Sequence, residues 1–174
     1  GALIQKDAGE VNYLDFKSIF VEIKPTRWVD KIIIGDFINQ WGQGLVQSGG
    51  FSLGKSFESI KATQKFHLGA IPYTSSGETS FYRGFNIQFH VGSFNFQAFS
   101  SLRYLDASLS SDSTGNSKQI NSWIEDGYHR TTTELSHQSN VQESAWGGSM
   151  QWIHKPTHLA IQFNLSNMLF SLDK

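Results

Sequence analysis

With 14 Lys plus Arg against 15 Asp plus Glu in 174 residues, the chain has a net charge of −1 and no electrostatic footprint for nucleic acid. It has no cysteine, which excludes a disulfide frame, a thiolate metal site and a thiol nucleophile. Aromatics make up 14% of the residues, yet no apolar run approaches the roughly 18 residues of a spanning helix. A transmembrane helix is therefore excluded. Transmembrane strands are not, because each needs only about 9–11 residues and their lumen face stays polar.

Taken in chain order, Gly1 to Glu10 lacks the basic start and apolar core of a signal peptide, so an exported form is expected to be a mature chain or an internal piece. A strand remnant precedes Lys6. Asp15 to Lys24 and Asp30 to Asn39 read as strands through Ile19, Phe20, Val21, Ile23, Ile32, Ile33 and Ile34. The loop from Gln40 to Ser80 is too long to be structureless and should carry its own order or a function.

Period-two alternation is clearest next. From Phe81 to Val91 an apolar row, Phe81, Phe85, Ile87, Phe89 and Val91, is broken by one charge, Arg83. Tyr82, Gly84, Asn86, Gln88 and His90 form the opposite row. Phe94 to Tyr104 alternates in the same way. In the loop from Asp106 to Asn140, Thr131 and Glu134 stand at capping-box spacing and open a short helix over Thr132 to Ser139. Val141 to Ile153 and a last strand from Leu159 running off near Leu172 complete about seven strands.

Short connections at 25–29, 92–93 and 155–157 take turns with long loops. An up-and-down antiparallel sheet with long loops at one end only is the pattern of an outer-membrane-type barrel. Trp28, Phe94, Tyr104, Trp146 and Trp152, placed near strand ends, would suit its aromatic girdles. Arginine is cheap there only near the membrane interface, which puts Arg83 at the loop-side end beside Phe81.

Three motifs suggest chemistry. Gly49 to Ser56, G-G-F-S-L-G-K-S, fits a phosphate-binding loop at Gly49, Gly54, Lys55 and Ser56. That loop needs a strand running in and a helix with a packing stripe running out, and no strand–helix alternation occurs here. The match reads as false, and no nucleotide, metal or other cofactor is expected. His154 and His158 share no helix face because Lys155-Pro156 lies between them. His129, with Asp126 and His137, reads as a hydrogen-bonded loop cluster. Asp36, Glu58, Glu78, Glu125, Asp126, Glu134 and Glu143 supply carboxylates, but no catalytic spacing or nucleophile elbow appears, so no enzyme is expected.

An ordered series of short motifs carries a resemblance. It comprises Lys6-Asp7-Ala8-Gly9-Glu10, Ile34-Gly35-Asp36-Phe37, Trp41-Gly42-Gln43-Gly44-Leu45, Gly54-Lys55-Ser56, Pro72-Tyr73, Phe81-Tyr82-Arg83-Gly84, Gly127-Tyr128-His129-Arg130-Thr131 and Trp146-Gly147-Gly148. Nearly the whole chain is covered. The series resembles the C-terminal β-barrel region of the helix-hairpin-helix-containing outer-membrane proteins of Bacteroidetes. That resemblance implies a bacterial outer-membrane location, with the lipid bilayer and further barrel strands as partners, and a role in transport or DNA handling. It singles out Asp36, Trp41, Gly42, Gln43, Gly44, Lys55, Arg83, His129 and Arg130 as motif residues. The family's helix-hairpin-helix module is not among these residues, so no nucleic-acid contact is carried over to this chain.

The expectation is thus one partial domain over 1–174: all-β, an incomplete antiparallel up-and-down transmembrane-type barrel segment. Its apolar rows at Phe81, Phe85, Ile87, Phe89 and at Leu159, Ile161, Phe163, Leu165 should share one side, with Asn86, Gln88, Gln162 and Asn164 on the other. The alternative is a soluble β-rich module that binds a ligand or glycan on loop Trp and Tyr.

Overall fold

The computed structural model describes residues 1–5, 16–25, 27–41, 47, 69–75, 77, 80–111, 118–125, 127–154 and 159–172. The described strands are β1 (Ala2–Gln5), β2 (Phe16–Ile23), β3 (Val29–Gln40), β4 (Gly69–Pro72), β5 (Tyr82–Val91), β6 (Phe94–Leu105), β7 (Ala107–Ser111), β8 (Lys118–Trp123), β9 (Val141–His154) and β10 (Leu159–Leu172). One described helix, α1 (Thr132–His137), completes the set. The fold is all-β and antiparallel. Its main sheet runs β1-β2-β3-β5-β6-β9-β10, while β4 pairs with β3 beside that path and β7 and β8 form a separate hairpin.

The seven strands of the path are the seven read from the alternation. β4, β7 and β8 add order inside the two long loops. Thr131 caps α1 with both halves of the box in place, and the helix stops at His137, short of the expected Ser139.

Continuous register shows what each face carries. Ile23, Ile32, Ile87, Ala98, Gly148 and Leu165 lie opposite one another across six strands, and Phe89, Phe96, Met150 and Phe163 form the adjoining row. The two apolar rows therefore share one face of one sheet, as expected. We call it the outer face. The opposite, inner face carries Lys31, Gln88, Gln97, Ser149 and Asn164 in one row and His90, Asn95, Gln151 and Gln162 in the next.

The inner face is not uniformly polar. Beyond Phe37, the last residue of β3 paired with β5, the end of β3 and its partner β4 fold back over that face. Asn39 lies six residues past Ile33, the register partner of Asn86, which in a straight strand would place it roughly 20 Å away. Its Oδ1 instead accepts from Asn86 Nδ2 at 3.0 Å and from Gln97 Nε2 at 2.9 Å. Lys31 Nζ reaches Ala70 O at 3.0 Å. This ribbon buries Phe37, Trp41 and Ala70 against Ile33, Phe99 and Ala145, the main core of the described molecule. Each large side chain so buried is worth about 1.5–3 kcal/mol, which is why an apolar plug displaces water from the middle of the face.

Two expectations are corrected. Phe81 precedes β5 and does not join the outer row; it is buried in a second core with Phe16 and Tyr73, whose ring stacks on it at 4.9 Å. Trp146 is no strand-end residue, since it pairs with Ser100 in the middle of β6. Trp28 and the directly opposed pair Phe94 and Trp152 do stand at the short-turn end.

Gly35 fixes the departure of the ribbon. Its φ of +106° is strained for any other residue, and a Cβ would lie 2.1 Å from Ile19 O. Gly35→Ala should therefore cost roughly 3 kcal/mol or more. Denaturant unfolding of the refolded protein measures this, and an unchanged midpoint would show that the kink is dispensable.

Candidate functional site

The site is built where β2 parts from β3. The two strands pair only from Phe20↔Gly35 to Ile23↔Ile32, after which β2 pairs on its other edge with β1. Residues of an antiparallel strand bond alternately to either side, so the groups at Ile19 and Lys17 that faced β3 lose their ladder partners. Asp36 and Arg83, opposite one another on β3 and β5, replace them. Ile19 N donates to Asp36 Oδ2 at 3.2 Å, and Arg83 Nη2 donates to Lys17 O at 2.8 Å. Arg83 closes the arrangement with two bonds to the Asp36 carboxylate, Nε to Oδ1 at 2.7 Å and Nη2 to Oδ2 at 3.0 Å. The Asp36 side chain is 2% exposed and that of Arg83 42% exposed.

A cavity of about 140 Å³ opens beside this pair at the long-loop end, lined by Lys17, Arg83, Tyr104, Asp106, His129 and Ser139 among others. Asp106 organises its far wall. Its Oδ2 bonds His129 Nε2 at 2.7 Å, its Oδ1 accepts from Ser139 N at 2.7 Å, and its backbone O accepts from Ile124 N at 3.1 Å. Ser139 has a φ of +54°, a conformation that this bond holds in place. One carboxylate thus ties the start and the end of the segment bearing α1 to the end of β6.

Of the motif residues, the structure brings Asp36, Arg83 and His129 to this end. Trp41 instead lies in the core, where its indole Nε1 donates to Gln97 Oε1 at 2.8 Å. The Arg130 guanidinium stacks 3.8 Å above the Tyr128 ring, and the Arg130 backbone N–H donates to Glu134 Oε2. Gly42, Gln43, Gly44, Gly49, Gly54, Lys55 and Ser56 lie outside the described residues, as do Glu58, Glu78, Asp126 and His158. His129 bonds Asp106, a partner the sequence did not suggest, while Asp126 lies outside the described residues.

Sequence reasoning missed a second ion pair. Arg103 and Glu143 are register partners on β6 and β9, joined by bonds of 2.8 and 3.1 Å with side chains 10% and 3% exposed. Both arginines approach the Phe81 ring, with Arg83 Cζ 5.3 Å and Arg103 Cζ 5.5 Å from its centre. The available signal was a lone charge of each sign on the faces of two strands, and it needed the adjacency of those strands to be read. Among the described residues, no three His, Asp or Glu side chains are grouped to hold a metal. The paired charges and shared aromatic contact make this cluster an anchor for loops.

Arg83→Met should destabilise by about 2–3 kcal/mol, below the roughly 3–5 kcal/mol of a fully buried pair because the guanidinium is partly solvated. Adding Asp36→Asn should recover part of that loss, since the amide oxygen still accepts from Ile19 N while the unpaired charge is gone. Unfolding midpoints of Arg83→Met, Asp36→Asn and the double variant check this; a double variant no more stable than Arg83→Met would refute the coupling.

A second prediction concerns α1. The backbone N–H groups of Arg130, then Thr131, hold the Glu134 carboxyl below its ordinary range. A depressed folded pKa contributes stability that is present above the unfolded pKa and lost as pH falls through the folded one. The cap should therefore loosen on acidification below the ordinary carboxylate range, seen as faster amide exchange at Arg130 and Thr131. Glu134→Gln should remove that pH dependence.

Compared with family models, with curated proteins and with solved structures, the chain finds no match.

Proposed function

We propose that this chain is a non-enzymatic segment of a bacterial outer-membrane β-barrel, its outer face against lipid and its inner face partly closed by its own ribbon. The observation that carries the reading is the outer face itself. Ile19, Val21, Ile34, Phe85, Leu102, Trp146, Phe163 and Leu165 are each 41–67% exposed and lie on one side of one sheet. An apolar surface of that extent marks a contact with lipid or protein. β6, β9 and β10 place no charged residue on it, whereas charges near a bilayer midplane cost about 2–4 kcal/mol each. The Asp36 and Arg83 charges sit toward the long-loop end, where the interface would lie.

The family resemblance supports the same reading and adds the role, transport or DNA handling at the outer membrane, with lipid and further barrel strands as partners. A soluble ligand- or glycan-binding module has less support, because it would leave this whole face in water.

Refolding decides between them. The protein should become β-folded only with detergent or lipid and should then show heat-modifiable electrophoretic migration. A monomer that folds fully in plain buffer would overturn the proposal.

A further inference from the structure

We infer that the polar rows of the inner face form a binding site for an uncharged, hydroxyl-rich solute of single-ring size, such as a monosaccharide or cyclitol. The inference rests on the inner face being open to water, as the proposed function requires. A recess of about 280 Å³ lies there at the short-turn end, bounded by Gly69 of the ribbon and lined chiefly by Gln88, Asn95, Gln97, Ser149 and Gln151. That volume falls just below the roughly 300 Å³ at which pockets for drug-sized ligands begin, which sets the limit of one ring.

The chemistry of the lining selects the class. Four carboxamides and a hydroxyl carry no net charge, so they offer nothing to compensate the desolvation of an ion. Gln97 is spent on Trp41 and Asn39. The others keep capacity. Asn95 Nδ2 donates to Gln151 Oε1 at 3.3 Å and Gln88 Nε2 to Ala70 O at 3.4 Å. Among the described residues this leaves Gln88 Oε1, Asn95 Oδ1, Gln151 Nε2 and Ser149 Oγ without partners. Acceptors, a donor and a group that serves as both meet in one recess, and a hydroxyl, itself donor and acceptor, answers each of them. The charges at the rim, His90 and Asp30, pair with each other at 2.7 Å and are about half exposed. Lys31, on the Gln88 row, turns its ammonium to Ala70 O.

The test is side-chain amide NMR on the full chain refolded in detergent micelles, with glucose as probe. The Asn95 and Gln151 amide signals should shift and saturate with a Kd on the order of 1 mM. Glucuronate and glucosamine, the charged analogues that keep the ring, should bind at least about tenfold more weakly. The double variant Asn95→Leu, Gln151→Leu removes both partners of their mutual bond, so no orphan is left and the fold should persist; read on the Gln88 side-chain amide, which lines the same recess, it should lose glucose binding at least about tenfold. No shift with glucose at ten times that concentration would mean that the recess holds only water, and would sink the inference. Equal binding of the charged analogues would sink it too, as would an unaffected double variant. Detergent dependence of folding is read separately, so the barrel reading can stand while this site falls.

Discussion

The way the chain covers the inner face depends on the ion pair between Asp36 and Arg83, because it lets one strand edge be used twice. β3 pairs with β2 along its first half and with β4 along its second. That arrangement requires β2 to leave, and its exposed backbone groups at Ile19 and Lys17 must then find other partners. A bidentate carboxylate–guanidinium pair supplies an acceptor for one and a donor for the other in the same plane. The cost of burying the Asp36 charge, several kcal/mol for an isolated ion, is offset by Arg83 and by the Ile19 N–H together. Gly35 stands at the same level because its backbone passes too close to Ile19 O for a side chain. Ion pair and glycine are therefore one device, and the ribbon that fills the inner face hangs from it.

How much of this was legible follows from which signals are local. Alternation is a property of neighbouring residues, so all seven strands of the main path could be read, together with the sidedness of Phe85, Ile87 and Phe89. The capping box of Thr131 and Glu134 is equally local. β4 escaped because Gly69-Ala70-Ile71-Pro72 is too short to show a period, and its pairing with β3 crosses about 30 residues. The β7–β8 hairpin escaped because serine-rich strands such as Ala107–Ser111 carry little apolar contrast. Phe81 was misplaced by continuing a good alternation one step beyond the strand. There the backbone turns from the ladder, and the ring goes to Phe16 and Tyr73 instead.

The candidate site was half legible for a related reason. Arg83 stood out as one charge in an oily row, which predicted its position beside Phe81 at the long-loop end. Its partner did not stand out. Asp36 lies 47 residues away, and only the register of β3 on β5 makes the two opposite. Arg103 and Glu143, 40 residues apart, are hidden in the same way. A charge on an apolar strand face announces that a counter-charge exists, but which one requires the topology.

The inner face joins two kinds of surface that seldom share one sheet. In its middle, Phe37, Trp41 and Phe99 exclude water; toward the short turns, amide rows admit it. Gln97 sits at the border, bonding Trp41 on the dry side and lining the recess on the wet side. The border is not sealed by hydrophobic contact alone, since Asn39 Nδ2 and Asn86 Oδ1 are buried there without partners among the described residues. Orphans of this kind cost about 1–3 kcal/mol each unless water reaches them. They lie where the ribbon meets the sheet, so this polar seam is the weakest part of the plug. Asn39 nevertheless joins the ribbon to the sheet by accepting from both Asn86 and Gln97, so the same polar seam attaches the plug and carries the cost of its unpaired atoms.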